Sequence, residues 1–214
     1  MTPRRILAAA TAAGLAGVML APSASATSTA TGTTGTRSLA AVLTADGNQF
    51  DSNWYDYDIV TEAVLAVLAN KPASKVGLLA DGSVPLTAFI PNDRAFQSLV
   101  ADLSGSRPSS EKAVFGAVAG LGIDTVETVL LYHVVPGPAI TSRQAIAANG
   151  AVLKTAQSGT ITVRSYSRYL PIIELRDQDT DDRNPFVNPF ALNLNKGNAQ
   201  LAHGITDVLR PVNL

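Results

Sequence analysis

The stretch "LTAFIPNDRAFQSL", residues 86–99, changes its hydrophobic period at a proline. Residues 86–90 are apolar on both alternating faces except at Thr87, a pattern that predicts a short strand buried on both sides. Pro91 lacks a backbone N–H, so it is expected to end the strand pairing. After Pro91 the apolar residues recur at helical spacing, and the stretch therefore predicts a strand that passes directly into a helix.

The start of that helix has the residues of a capped N-terminus. Asn92 is the expected N-cap, and Asp93 places a negative charge in the first turn, where the helix dipole favours it. Pro91 and Phe96 hold the positions of a hydrophobic staple. Because none of these residues is a nucleophile with a base or a metal cluster, we interpret the junction as scaffold, and expect function to lie on exposed loops elsewhere.

The N-terminus has the three parts of a secretory signal peptide. Arg4 and Arg5 provide the charged start, residues 6–21 the apolar run, and the small residues 24–26 a cleavage site. The run is shorter than the roughly 20 residues that span a bilayer, which argues against an anchor. Residues 1–26 are therefore predicted to be a signal peptide cleaved after Ala26, with general and twin-arginine export both open.

The mature chain is predicted to be one domain behind a short leader. Residues 27–37 are rich in Thr, Gly and Ser and are expected to be flexible, and residues 38–214 have the length of a single domain. No cysteine is present, so the fold depends on its apolar core. Loss of the signal arginines changes the net charge from −1 to about −3. This mild acidity does not suggest binding to nucleic acid, which normally requires a basic surface. We expect no transmembrane segment in the mature chain, and a monomer.

Helical periods dominate the first half of the mature chain and strand periods the second, so the predicted fold class is α+β. Two capping boxes are expected, one at Asp124 with Glu127 and one at Thr141 with Gln144, and Asp58 is the expected cap of the first long helix. The predicted helices are 58–72, 74–80, 109–121, 123–133 and 141–150, and the predicted strands are 160–165, 170–175, 190–195 and 199–209.

No catalytic constellation is evident in the sequence. Cysteine is absent, and the two histidines, His133 and His203, do not have the spacing of a helical metal site. We therefore predict no catalytic, cofactor-binding or metal-binding residues. His133 shares a helical stripe with Val126, Val129 and Leu130 and falls in the last turn, where its ring can bind a free carbonyl. A structural, hydrogen-bonded histidine is the favoured interpretation over a catalytic one.

An aromatic and acidic cluster, "DSNWYDYD", precedes the first long helix. Trp54, Tyr55 and Tyr57 could stack on a sugar while the neighbouring aspartates bind its hydroxyls. The alternative, which we favour, is a strap whose aromatic side chains pack on the body of the domain.

A second acidic cluster spans residues 177–182. Asp177, Asp179 and Asp181 hold the first, third and fifth places of a calcium loop, but Asp182 replaces the required glycine and Asn188 the bidentate glutamate. We favour a solvated acidic loop partly balanced by Arg183.

Three motifs in fixed order resemble those of the fasciclin-like domain: "TAFIPNDRAF", "VLLYHVVPG" and "AHGITDVLRP". The residues that carry the resemblance are Thr87, Phe89, Pro91, Asn92, Asp93, Phe96, Tyr132, His133, Pro136 and His203. The resemblance implies a compact wedge in which N-terminal helices pack on a β-sandwich-like core completed by C-terminal strands. It also implies extracellular adhesion.

The leading functional hypothesis is a secreted, non-enzymatic binding or adhesion domain that contacts an extracellular protein, matrix, glycan or other cell-wall material. The alternative is a carbohydrate-binding module or weak hydrolase that uses Trp54, Tyr57 and nearby aspartates. A third hypothesis is a calcium-dependent structural protein built on residues 177–182.

Overall fold

The structure is a computed structural model that describes residues 34–47 and 49–214. The predicted signal peptide and residues 27–33 of the predicted leader lie outside the described residues. The helices are α1 (Leu39–Leu43), α2 (Asp58–Asn70), α3 (Asp93–Ser104), α4 (Glu111–Gly120), α5 (Ile123–Tyr132) and α6 (Ser142–Ala147). The strands are β1 (Leu86–Pro91), β2 (Val134–Pro136), β3 (Val152–Lys154), β4 (Thr160–Ser165), β5 (Ile173–Arg176) and β6 (Gln200–Ile205), and 3₁₀ turns occupy Thr44–Asp46 and Lys75–Ala80.

The first sheet has the strand order β2-β1-β6. β1 lies antiparallel to β2 and parallel to β6, and every residue of β1 and β6 is buried. Burial of β1 on both faces confirms the prediction from its apolar pattern. Pro91 is still opposite Ile205, so pairing ends one residue later than predicted. The first and last motifs of the sequence are therefore neighbours in one sheet.

The second sheet is an antiparallel meander, β3-β4-β5. Ile161, Val163, Ile173 and Leu175 alternate along it and pack in one core with Phe89 of the first sheet. A larger core joins the other side of the first sheet to α1–α5. The two small sheets, with α1–α5 packed on the first sheet and α6 on the second, confirm the α+β class and the sandwich-like core.

Helix starts follow the predicted caps in two places. The Asn92 side chain accepts a hydrogen bond from the backbone N–H of Ala95 at 3.0 Å, which confirms it as the N-cap of α3. Thr141 and Gln144 form the reciprocal capping box of α6. Asp58, in contrast, is the first residue of α2, and the N-cap residue Tyr57 makes no side-chain cap bond.

The capping box predicted at Asp124 and Glu127 is wrong. Gly122, with a positive φ of 88°, is the N-cap of α5, so Asp124 is the second residue of the helix and lies two residues past the capping position. Both carboxylates instead pair with the ammonium group of Lys71. The half-buried Lys71, at the C-terminal cap of α2, is therefore the partner of these carboxylates instead of the local backbone N–H groups.

The strand predicted over residues 190–195 is also wrong. Asn193 and Asn195 have positive φ values of 53° and 64°, which a strand cannot accommodate, and a single bridge joins Leu194 to Ala202. The alternation of Ala191, Leu192 and Leu194 with asparagines reflects a chain that turns repeatedly rather than extends.

Two further features concern the ends of the described chain and its helices. Gly35 pairs with Asn198, so the last residues of the predicted leader lie against the turn before β6.

None of the described helices is by itself long and apolar enough to cross a membrane. The pair α4 and α5 reaches that threshold only when taken together, across a bend of 104°.

Candidate functional site

A groove of about 1030 Å³ lies between α6 and the loop that joins β4 to β5. Its principal lining residues are Arg143, Ile146, Tyr166, Arg168, Tyr169 and Leu192. The volume is in the range of sites that accommodate a ligand or peptide side chains. We call this feature the tyrosine groove.

The loop that forms one wall of the tyrosine groove presents large apolar side chains to solvent. Tyr169 is 88% exposed and Leu170 is 59% exposed, and Tyr166 and Ile172 are also exposed. Burying such a contiguous apolar surface is favourable at roughly 25 cal/mol per Å². A cluster of this kind is typical of a surface that contacts a partner.

The charge of the tyrosine groove is positive. Arg143 and Arg168 line it, and no aspartate or glutamate is among the described residues that do so. Neither arginine forms a salt bridge with any residue in the described ranges. Tyr166 is held in place because its hydroxyl donates to Glu174 Oε2 at 2.8 Å. The groove therefore offers two free guanidinium groups beside an apolar wall.

Sequence reasoning did not identify this surface. The stretch "SYSRYLPI", residues 165–172, overlaps the ends of the predicted strands 160–165 and 170–175, and no structure or role was predicted for residues 166–169. Its signal was the combination of two tyrosines, an arginine and apolar residues between two strands, which is the composition found at protein interfaces.

The fasciclin-like motif residues Thr87 and His203 meet at one backbone residue. Thr87 Oγ1 accepts from the N–H of Ile140 at 2.8 Å, and His203 Nε2 lies 2.9 Å from the carbonyl oxygen of Ile140. The other ring nitrogen of His203 accepts from the Asn193 N–H. Burial lowers the pKa of His203, which keeps the ring neutral. These contacts fix the segment that leads into α6.

His133 and Tyr132 are bonded to the backbone in a similar way. His133 Nδ1 lies 2.7 Å from the Val129 carbonyl oxygen, and Nε2 accepts from the Leu209 N–H at 3.0 Å. The predicted hydrogen bond to a helix carbonyl is confirmed. Burial lowers the pKa of His133 to about 4. Tyr132 is buried, its hydroxyl donates to the Thr160 carbonyl at 2.6 Å, and burial raises its pKa.

The other motif residues are structural in position. Phe89 stacks on His203 with ring centroids 6.1 Å apart, and Phe96 is buried in the helical core. Pro136 is exposed at the end of β2, opposite Leu86. The three motifs therefore converge on the first sheet and its helix connections, and none of the motif residues is among those that line the tyrosine groove.

The aromatic side chains predicted as possible ligand contacts have different environments. Trp54 and Tyr57 are half-buried and pack against the helical core, whereas Tyr55 is 74% exposed. Burial, and then the nearby charge of Asp93, raise the pKa of Tyr57. The structure thus leaves only Tyr55, of these three rings, mostly exposed to solvent.

The acidic loop 177–182 is balanced by a cation that sequence reasoning did not select. Arg210, almost fully buried, contacts Asp182 at 2.9 Å, Asp102 at 2.7 Å and Asp179 at 3.6 Å. Asp179 is buried, so the interpretation of the whole loop as solvated and balanced by Arg183 is wrong. Burial raises the pKa of Asp182 to about 6, against the lowering effect of Arg210.

A separate set of carboxylates lies at the start of the helices. Two overlapping groups have oxygens within 4.8 Å of one another: Asp51, Asp56 and Asp58, and Asp56, Asp93 and Glu111. These are the residues in the described chain whose spacing would suit a metal ion.

Comparison with known proteins gives one family. The family model described as "Fasciclin domain" matches residues 61–209. A solved structure, a FAS1 domain pair from the insect cell adhesion molecule Fasciclin I, is similar at 14% sequence identity with a TM-score of 0.49. That match covers 71% of this chain and 46% of the domain pair, so the match spans about half the length of that protein. No curated protein matches the sequence. The family match covers more than half of the sequence, and the chain therefore belongs to the fasciclin domain family.

Proposed function

We propose that this protein is an exported, non-enzymatic binding domain that mediates adhesion through the tyrosine groove. Export is supported by the three-part N-terminal signal, with cleavage after Ala26. Fasciclin domains are associated with cell adhesion and protein binding. Both histidines are neutral and hydrogen-bonded to backbone, so neither is free to act as a general base.

The observation that carries the proposal is the pair of unpaired arginines beside exposed tyrosine and leucine side chains. Arg and Tyr are enriched among residues that dominate binding energy at protein interfaces. Because Arg143 and Arg168 lack acidic neighbours in the groove, the partner supplies the negative charge. We infer an acidic polypeptide segment whose apolar side chains cover Tyr169 and Leu170.

The adhesion test uses beads that carry the full chain, incubated with the producing cells. The Tyr169→Ser/Leu170→Ser variant removes the exposed wall without touching the core, so it should keep the wild-type unfolding midpoint and lose retention on cells. Equal retention of the variant and wild type would show that adhesion does not use this surface. Absence of retention for wild type above a heat-denatured sample would contradict adhesion itself.

The partner chemistry is tested with synthetic acidic, neutral and basic peptides of equal apolar content. Acidic peptides should bind best, and binding should weaken with salt because it depends on exposed charges. Arg143→Gln with Arg168→Gln should reduce affinity about tenfold or more. Arg164→Gln, an exposed arginine on β4 outside the groove, is the matched control and should leave affinity unchanged. Preference for neutral or basic peptides would overturn the acidic partner.

The alternative of a glycan bound at the aromatic cluster is tested by fluorescence. Trp54 is the only tryptophan in the chain, so a sugar stacked beside it must change the emission. A flat titration with cell-wall glycans, together with an unchanged response in Tyr55→Ser, would remove this alternative.

A further inference from the structure

Three carboxylates converge where three helices begin. Asp56 lies two residues before α2, Asp93 is the first residue of α3, and Glu111 is the first residue of α4. Their oxygens lie within 4.8 Å of one another. The side chains of Asp93 and Glu111 are completely buried, and Asp56 is half-buried. Segments that are far apart in the sequence thus bring three acids to one point.

Two oxygens of this cluster lack a hydrogen-bond donor. Glu111 Oε2 accepts from the N–H of Asp51 at 2.6 Å, but Glu111 Oε1 is buried and has no partner. Asp56 Oδ1 is likewise buried and unpartnered. An ionised carboxylate oxygen withdrawn from water without compensation is costly, and such groups in proteins are paired or coordinate metals. Both oxygens belong to carboxylates of the group in which one oxygen of each residue lies within 4.8 Å of the others.

No cationic side chain balances the cluster. Within residues 34–47 and 49–214, no Lys, Arg or His forms a salt bridge with Asp56, Asp93 or Glu111. The N-termini of α2, α3 and α4 contribute about half a positive charge each, which leaves three ionised carboxylates net negative. Burial, followed by the hydrogen bond with Asp56, raises the pKa of Asp93 to about 8. Burial also raises the pKa of Glu111.

The contrast with the acidic loop 177–182 identifies what is missing. That loop also gathers buried carboxylates, but the guanidinium of Arg210 enters it and contacts Asp182 at 2.9 Å. The cluster at the helix starts has the same chemistry without the cation. The carboxylate cluster therefore requires a positively charged group that oxygen ligands alone can coordinate.

We propose that Asp56, Asp93 and Glu111 bind a calcium ion that ties together the starts of α2, α3 and α4. The ligand set is all carboxylate oxygen, which suits a hard cation rather than zinc or copper. Calcium accepts six to eight oxygens in irregular geometry, whereas magnesium requires a near-ideal octahedron. Asp51 and Asp58, whose carboxylates lie within 4.8 Å of Asp56, extend the acidic surroundings, and water completes the shell.

The test measures thermal unfolding and calorimetric calcium binding of the full chain at about pH 9, where protons compete least. Wild type should unfold at a higher temperature with calcium than with a chelator, because a ligand that binds only the folded state stabilises it. Glu111→Gln should weaken calcium affinity at least tenfold. The same substitution should raise the unfolding midpoint in chelator, because it removes one of three like charges and supplies an amide donor. A merely structural glutamate would not give these opposite effects.

Asp181→Asn is the matched control, because it removes an exposed aspartate from the loop that Arg210 already balances, and it should bind calcium within twofold of wild type. If Glu111→Gln fails to fold, Asp56→Asn at the half-buried edge is expected to give the same loss. The proposal is overturned if calcium up to about 10 mM leaves the wild-type midpoint unchanged, if Glu111→Gln or its replacement binds calcium like wild type, or if magnesium gives an equal shift.

Discussion

The carboxylate of Asp93 caps the helix that begins 35 residues earlier in the chain. Its Oδ1 accepts from the N–H of Ile59 at 2.9 Å, and its Oδ2 accepts from the N–H of Asp58 at 3.2 Å. In return, the N–H of Asp93 donates to the carbonyl of Asp56 at 3.2 Å. Because the N-cap Tyr57 makes no side-chain cap bond, α2 depends on this residue from α3.

Replacing Asp93 with alanine should lower the free energy of unfolding by about 2 kcal/mol, measured by urea denaturation in chelator. Two buried N–H groups at the start of α2 lose their acceptor, and nothing of similar reach replaces it. Asp93→Asn keeps one carbonyl acceptor for the start of α2, so it should cost less than half as much. Equal losses for the two variants would contradict the capping role.

Replacing Asn92 with alanine should cost about 1 kcal/mol, the usual loss for an N-cap whose side chain binds the third N–H of the helix. Asn92→Asp should be close to neutral, because aspartate caps as well as asparagine does. The measurement is the urea midpoint of each variant at neutral pH. An alanine variant as stable as the aspartate variant would show that the Asn92 bond to Ala95 contributes nothing.

The adjacent residues Asn92 and Asp93 show what a sequence can and cannot predict about this fold. The bond from Asn92 spans three residues along one helix, so the sequence spacing contains it. The hydrogen bonds that the Asp93 carboxylate accepts span 34 and 35 residues, and they form only because α2 and α3 pack against each other. Local capping, strand alternation and the three motifs therefore yielded the fold class and the boundaries of most elements.

The candidate site was missed for the same reason. The tyrosine groove joins α6 to a loop about 20 residues later, and no spacing in the sequence marks that contact. Arg210 contacts Asp102 from 108 residues away and also contacts Asp182 in the acidic loop. Because neither contact is close in sequence, the adjacent Arg183 was chosen as the balancing cation instead. Charges in particular pair across space, and their partners follow from packing rather than from neighbouring positions.

His133 should make stability fall as the pH drops from about 6.5 towards 4. Its pKa in the folded state is about 4, below the value of 6.5 expected in the unfolded chain, so the unfolded chain binds more protons in this window. The variant His133→Asn should be less stable than wild type at pH 8, and the difference should shrink by about 2 kcal/mol at pH 5. A difference independent of pH would contradict a neutral buried ring. Nitrogen NMR should find the proton on Nδ1.

Arg210 should be the most sensitive charged position in the described chain. Arg210→Met retains much of the side-chain volume but leaves the buried carboxylates of Asp179 and Asp182 without their cation. Removing one partner from a buried ion pair costs about 3–5 kcal/mol, because the remaining charge is desolvated and uncompensated. We expect a loss of about 3 kcal/mol in urea denaturation at pH 7, since Asp182 can take up a proton.

Two controls separate this electrostatic loss from lost packing. Adding Asp182→Asn to the Arg210→Met variant removes one uncompensated charge and should recover part of the stability, whereas a packing defect would not be repaired. Lys71→Met breaks a partly exposed ion-pair cluster with Asp124 and Glu127, where water screens the charges more than around Arg210, so its effect should be much smaller. If the double variant is no more stable than Arg210→Met, Arg210 stabilises the C-terminal segment through contacts of its side-chain stem instead of through its charge.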